Sequence, residues 1–548
     1  MSDRYEGGDL LVESLENLGV RHIFSVSGGP LNSIYHAAAN RRLSIVHARH
    51  EAAACFMAEA TSRLSGIPGV AAVTLGPGVT NCVTAALAAR MSGTPLLIVG
   101  GQSNIGDFDR GAEMSAEHVS IMSPVTKFAA RVLSTERIPE YLEAAWRLMW
   151  SGRPGPVFLE IPIDVLAAGA EPQAPAAGGR RLPGLEPGDA AAIRKALAAA
   201  RRPLVVIGDE VCWELGRGLD AARLAAALER HGLPFAPLRL GRGAVDERHP
   251  LCCGLACVPA NATFRTALKE ADLVLLLGHH LECDLDYGRT IRSDAVIVQC
   301  CADPEHLGRN RQPTVAALSA LAPVVELMAG LEPLALDADW VAATTAAWRA
   351  EWAAQAADDG AVAPLHPVAV VDAVCAAMPE DTLYVTGEGN VDMFADARLR
   401  ISGPKGYLRV GQAGALGPEI PYGIGAKFVH PERPVVVFVG DGGVGYHGVE
   451  LDTAERYGRP IIVVVQDDAS WGAIALPQVK DYGAAFDTDL PSRDWARFAE
   501  ALGCFGARAE SVDQIGPAVR AAHASGKPAI VQVPVRSVLS PFMDFVEF

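Results

Sequence analysis

The stretch Gly440-Asp441-Gly442-Gly443 follows an apolar, β-branched run, "RPVVVFV", and precedes a helical pattern, "GVELDTAERYG". A second acidic pair, Asp467-Asp468, closes the next such run, "PIIVVVQ", with Asp468 27 residues after Asp441. That distance is one helix and one strand. Both carboxylates are thus expected at the same edge of a parallel sheet, where ligands bind. A helix that opens on glycine amides favours a diphosphate through its free N–H groups and its dipole. A carboxylate beside it supplies the hard oxygen ligand that Mg²⁺ or Ca²⁺ takes. Together the two motifs read as a site for a divalent cation and a diphosphate. A third acid, Glu51, opens the helical pattern in "VHARHEAAACFMAEATSRLSG" after a short strand. Alone, a Glu in a first helical turn is a favourable dipole interaction and nothing more.

Positioning these residues takes strands that alternate with helices, and the sequence has three such blocks. The first, about 6–168, carries the runs "RHIFSV", "GVAAVTLG", "PLLIVGG" and "GPVFLEIP". "AGAEPQAPAAGGRRLPGLEPGD", rich in Ala, Gly and Pro, reads as a linker. A middle block with "PLVVIGD", "DLVLLLG" and "AVIVQC" follows, then a more helical connector, "LDADWVAATTAAWRAEWAAQAADDG". The third block has "TLYVTGEG", "PVVVFVGDG", "PIIVVVQDD" and "AIVQVPV". The alternation predicts an α/β protein of three doubly wound parallel-sheet domains, over residues 1–170, 190–332 and 365–548. The tail "SVLSPFMDFVEF" is expected either to pack as a final element or to close over a site.

At 548 residues, half of them hydrophobic and 20% charged, the chain is globular and too long for one core. The formal charge of −17 argues against nucleic acid or an anionic membrane surface as partner. It leaves room for an anionic small molecule held by local amides or a metal. No secretory signal and no membrane-length apolar run is read from the sequence. The eleven cysteines are scattered or adjacent (Cys252–Cys253, Cys300–Cys301) without a CxxC pair, the pattern of buried thiols in a cytoplasmic protein.

With the spacing of Asp441 and Asp468 in view, the chain resembles the thiamine-diphosphate (ThDP) enzymes of the acetolactate synthase group. The resemblance implies that Asp441, Asp468 and the backbone carbonyl of Ser470 hold Mg²⁺, although this chain has Asp467-Asp468 where the family commonly has Asn-Asn. It implies that Gly440, Gly442, Gly443, Glu388 and Asn390 lie against the cofactor. In the first block "VTLGPGVTN", with Gly76, Pro77, Gly78 and Asn81, is similar to the family's pyrimidine-binding domain, and Gly28 and Gly29 belong to the same side. The resemblance makes Glu51 the catalytic acid that bonds a ring nitrogen of the aminopyrimidine, which requires a desolvated cleft. "GQAGALGPEIPYGIGAK" resembles the segment beneath the cofactor, where Leu416 would wedge between its two rings.

"ADPEHLGRNRQP" is similar to the acetolactate synthase group, whereas "VGYHGVELDT", "TGEGNVDMFADAR" and "LGHHLECDLDYG" lean towards its 2-hydroxyacyl-CoA lyase and oxalyl-CoA decarboxylase branch. No basic cluster for CoA phosphates is visible in the sequence. Glu113-Met114-Ser115 stands where acetolactate synthases have Phe-Gln-Glu, which speaks against standard acetolactate synthesis. The resemblance implies a lyase or carboligase acting on a 2-oxo acid or an acyl-CoA, with an aldehyde as acceptor. The alternatives are a 2-oxo acid decarboxylase or carboligase without CoA and a ThDP-binding regulatory subunit. It also implies a homodimer or homotetramer, and allows FAD or ADP in the middle domain without any motif that supports either.

Overall fold

The computed structural model describes residues 5–355 and 363–542. Its first sheet comprises β1 (His22–Ser25), β2 (Ser44–His47), β3 (Gly69–Val73), β4 (Leu96–Gln102), β5 (Phe128–Arg131) and β6 (Val157–Pro162). The middle sheet comprises β7 (Pro203–Ile207), β8 (Phe235–Pro237), β9 (Leu273–Leu277), β10 (Val296–Cys301) and β11 (Val315–Leu318). In the third are β12 (Leu383–Thr386), β13 (Tyr407–Arg409), β14 (Val435–Gly440), β15 (Ile462–Asp467), β16 (Phe505–Arg508) and β17 (Ala529–Pro534). Every strand pair is parallel. The protein is α/β throughout, as the alternation predicts. No helix among the described residues is long and apolar enough to cross a membrane.

The first sheet runs β2-β1-β3-β4-β6-β5 and the third β13-β12-β14-β15-β17-β16, which is the same order met twice. In each, the chain leaves the first strand to one side and then crosses to the other. This makes a switch point between β1 and β3 and another between β12 and β14, and crevices at such points take ligands. The middle sheet, β11-β10-β9-β7-β8, has its own switch point.

Five strands that the sequence does not announce, β5, β8, β11, β13 and β16, all lie at sheet edges. An edge strand is covered less completely and needs no long apolar run. β8 and β13 are only three residues long.

Five helices matter for the site: α1 (Glu51–Ser65), α2 (Asn390–Arg398), α3 (Glu419–Val429), α4 (Asp441–His447) and α5 (Gly472–Tyr482). The stretch read as one helix after Gly442 is three short pieces, beginning at Asp441 itself. α1 is buried on nearly all faces because it lies between the first sheet and α3. His50 caps it, with Nδ1 accepting from the Ala52 N–H at 3.1 Å, and Gly66 ends it at φ 72°. α1 and α3 approach so closely that a Cβ on Gly425 would fall 2.5 Å from the Met57 carbonyl oxygen. Around that contact Glu59 accepts from the Tyr422 hydroxyl (2.7 Å) and from Ser92 (2.8 Å), and pairs with Arg63. Each of these polar groups is buried and satisfied, so the interface between first and third domains has one register.

Gly425→Ala and Gly425→Val should therefore lose about 1–3 kcal/mol of stability, Val more than Ala, by overpacking. A thermal melt of both variants within a degree of the parent would mean that this contact does not set the helix spacing.

Candidate active site

β14 ends at Gly440, and Asp441 is the first residue of α4. A Cβ on Gly442 would lie 2.4 Å from the Trp471 ring, and one on Gly443 2.7 Å from Val439. Side chains are excluded there, and backbone amides line the turn. Asp441 is buried, and its Oδ1 has no hydrogen-bond partner among the described residues. Asp468, one residue beyond β15, lies within hydrogen-bonding reach of Asp441. Burial, then the charges of Asp468 and Asp467, push Asp441 up to about 7. Burial, helped by Asp467, pushes Asp468 up to about 6, although hydrogen bonds from Ser537 and Asp441 work against it. Two confined carboxyls with an orphaned oxygen, beside a glycine turn at the start of α4, fit a divalent cation and a diphosphate.

Asp467 acts on that site through its charge alone, because its carboxyl is bonded elsewhere. Its Oδ2 accepts from Gln532 Nε2 at 2.7 Å and its Oδ1 from the Ala469 N–H at 3.2 Å, which turns it towards β17. Ser470 sits in a stretch held against 488–490, where Trp471 N–H donates to Thr488 O and Leu490 N–H to Ala469 O, both at 2.8 Å. The side chains of Glu388 and Asn390, expected against the cofactor, have protein partners. Glu388 pairs with the buried Arg409 at 3.0 Å. Asn390 donates to Val538 O (2.7 Å) and accepts from Ser540 N–H (2.9 Å). Ser537 Oγ donates to Asp468 Oδ2 at 3.1 Å. The tail thus lies across Asp468 and Asn390. Its residues from Met543 on lie outside those described.

In the first domain Glu51 is half-buried, and its Oε2 accepts from Asn81 Nδ2 at 2.9 Å. Asn81 itself is exposed, so one chain alone does not provide the desolvated cleft expected around Glu51. Gly76 (φ 62°) lies where a Cβ would meet the Met114 carbonyl oxygen at 2.7 Å. Its N–H donates to His118 Nε2 at 2.8 Å. His118 Nδ1 therefore carries the proton and donates to Glu160 at 2.8 Å. His118 and Glu160, which fix this turn, have no local signal in the sequence. Gly28 is packed 2.6 Å (Cβ position) from Thr74, whereas Gly29 faces open space. Leu416 is half-buried between Gly414 (φ 61°) and Gly417 (φ 90°). His447 Nδ1–H donates to Gly417 O at 3.0 Å, which anchors that loop to α4.

Within one chain the N-terminus of α1 is fastened to the third domain. The Glu450 carboxylate accepts from the N–H groups of Arg49 (2.9 Å) and His50 (3.0 Å), and the His50 ring meets His447 at 5.7 Å. Yet His447 is at the far end of α4 from Asp441, and Glu51 and Asp441 share no partner among the described residues.

The raised carboxyls give a pH signature. A carboxyl whose native pKa is raised binds its proton more tightly folded than unfolded, so the fold weakens as pH climbs through that window. For Asp441 the window runs from the ordinary 3.8 to about 7. In chelator, Asp441→Asn should gain several degrees of melting temperature on the wild type between the two ends of that window. ThDP with Mg²⁺ should close the gap. A gap that stays constant with pH would contradict the assignment.

Three family models match the chain. The N-terminal TPP binding domain of thiamine pyrophosphate enzymes covers residues 5–121, the central domain 190–328 and the C-terminal TPP binding domain 387–533. Among curated proteins, human "2-hydroxyacyl-CoA lyase 2" is 30% identical over 96% of this chain and 89% of its own length. "Acetolactate synthase large subunit IlvG" of Mycobacterium tuberculosis is 30% identical over 96% and 95%. "Probable 2-ketoarginine decarboxylase AruI" of Pseudomonas aeruginosa is 32% identical over 96% and 93%. The central match spans the whole middle sheet, the N-terminal match takes in β1 to β4 and the C-terminal match β13 to β16 and most of β17, and the first and last hold the two acidic sites just described. The chain belongs to the thiamine pyrophosphate enzymes, in their group of lyases, acetolactate synthases and decarboxylases.

Proposed function

We propose that the protein is a ThDP- and Mg²⁺-dependent carbon–carbon lyase or carboligase acting on a 2-oxo acid or a 2-hydroxyacyl-CoA type substrate. The observation that supports it most directly is the pair of built acidic sites, Glu51 with Asn81 and Asp441 with Asp468, at the switch points of two like sheets. When bound, ThDP supplies an electron sink next to the carbon–carbon bond that breaks or forms. Asp441, Asp468 and the Ser470 carbonyl hold Mg²⁺, and the amides of Gly442 and Gly443 receive the diphosphate. Leu416, fixed between two left-handed glycines, supports the rings. Glu51, oriented by Asn81, holds a proton at the aminopyrimidine nitrogen and gives it up during each turnover.

The active unit is at least a homodimer, with Glu51 of one copy facing Asp441 of another. Two facts support this: in one chain Glu51 is only half-buried and Asn81 is exposed, and large apolar side chains lie open on and after α5. Ile474 is 51% exposed, Tyr482 75% and Phe486 56%. A second copy covering both surfaces would dry the site and so strengthen its charges.

One feature favours the reading without CoA. A cleft of about 630 Å³ between the first and middle domains carries Arg90, Lys127, Arg153 and Arg309, and reaches Gln412, four residues before Leu416. Arg90, Lys127 and Arg153 already bond backbone carbonyls of Thr126, Ser151 and Met91. Glu282, Asp303 and Glu305 line the same cleft, so it is a weak phosphate site. A panel of 2-oxo acids and 2-hydroxyacyl-CoA donors, each with several aldehydes, decides between these readings. ThDP binding with no turnover anywhere would instead point to a regulatory subunit.

Three expectations follow for the assigned residues. Glu51→Gln should lose about two to four decades of rate, as for a removed general acid–base group. ThDP affinity should change little, and wild-type rates of deuterium exchange at the thiazolium carbon would refute the role. Asp468→Asn should bind ThDP but need more Mg²⁺ for half-saturation, while Asp468→Ala should not retain ThDP. Identical Mg²⁺ titrations would remove Asp468 from the metal. Mixing Glu51→Gln with Asp441→Ala chains should recover part of the activity, because one composite site of a mixed dimer is intact. No recovery in a proven mixed dimer would place both residues in one chain's site.

A further inference from the structure

The repeated strand order gives Glu51 a counterpart. Glu51 is the first residue of the helix after β2, and Glu419 is the first residue of the helix after β13, in the same place of the same topology. Their surroundings are opposite. Glu419 is 1% exposed, and neither carboxyl oxygen has a hydrogen-bond partner among the described residues. A Cβ on Gly387, just past β12, would lie 1.7 Å from its Oε1, and one on Gly443 would lie 3.9 Å from its Oε2. The carboxyl is therefore wedged between the two loops that leave β12 and β14, the walls of the crevice assigned above to the diphosphate.

The groups around it are acidic. From α2 it faces Asp392, 2% exposed, with Oδ1 also unpartnered and Oδ2 accepting from Gly389 N–H at 3.0 Å. Glu388 lies in the loop before α2, and its charge also bears on Glu419. Arg409 on β13, whose charge bears on Asp392, is committed to Glu388 and Asp396. On its own helix the neighbour is Tyr422, bonded to Glu59. α4 offers the backbone at Gly443. Burial first and the charge of Asp392 second hold the acid far above the ordinary carboxylate range.

We propose that Glu419 is a proton-holding positioning residue of the crevice: neutral, it fits between the loops after β12 and β14 and keeps them together, and ionised, it drives them apart. The inference rests on the ThDP reading. Its consequence is that ThDP is bound together with the proton on Glu419, so affinity falls as pH rises through the range where the free protein loses that proton.

The test is calorimetric titration of ThDP, with Mg²⁺, into full-length wild type, Glu419→Gln and Asp392→Asn across a mildly acid to alkaline pH series. At the acid end Glu419→Gln, a neutral isostere, should bind as the wild type does. At the alkaline end the wild type should bind at least about tenfold more weakly, the loss expected for one linked proton per pH unit, while Glu419→Gln holds its affinity. Asp392→Asn, which removes the neighbouring charge, should move the fall to a different pH. A pH profile shared by wild type and Glu419→Gln would overturn the proposal, as would a folded Glu419→Gln that fails to bind at the acid end. If the wild type binds no ThDP at any pH, the cofactor reading fails instead. Amide exchange in 387–390 and 440–443, compared between wild type and Glu419→Gln at each pH, then still reads the loops: faster alkaline exchange in the wild type supports the latch, and equal exchange overturns it.

Discussion

The contact of α1 with α3 is the constraint from which the rest follows. Gly425 lets the helices meet at the distance of a backbone carbonyl, and the Glu59–Tyr422–Ser92–Arg63 cluster fixes their register. Each helix begins next to a site: Glu51 starts one, and the loop carrying Leu416 leads into the other. Fixing the two helices against each other fixes both starts, and with them the crevices of two sheets built in the same order. Buried polar groups that are all satisfied cannot slip by a turn without losing several bonds together.

Around that frame the third domain concentrates carboxyls that it does not neutralise. Asp441, Asp392 and Glu419 each have a buried carboxyl oxygen without a partner among the described residues, and Asp468 lies beside Asp441, whereas Glu388 and Asp396 share Arg409. An unpaired buried charge is expensive, and the alternatives are a proton or a metal. The structure divides the acids along that line. Asp441 and Asp468 border the open glycine turn, where a cation can enter. Glu419 is sealed beside Asp392, and a proton is the counter-charge that fits there.

The sequence makes the central strands legible because burial on both faces demands β-branched runs. It hides the edge strands, which face less of the core and are shorter. The Asp441–Asp468 spacing is legible because it is a property of one βα unit. Local orientation is not: Asp467 and Asp468 are adjacent, yet the first turns to Gln532 and the second to Asp441, since neighbouring residues at a strand end point to opposite sides. The engagement of Asn390 by the tail depends on a segment about 150 residues away. So does the tie between Gly76 and His118, 42 residues apart. No local pattern carries either. Glu419 sits in a motif that was read for Leu416, and only the repeat of topology shows that it matches Glu51.

The indole that excludes a side chain at Gly442 has an optical consequence. Trp471 is half-buried, packed on the glycine turn and edge-on to Tyr446 at 6.5 Å. Any group that settles on the turn displaces solvent from one face of this ring and alters the field from Asp441 and Asp468 beside it. The chain has eight tryptophans, and this one packs on the glycine turn. Its emission is a built-in gauge of occupancy, readable without a label and without turnover.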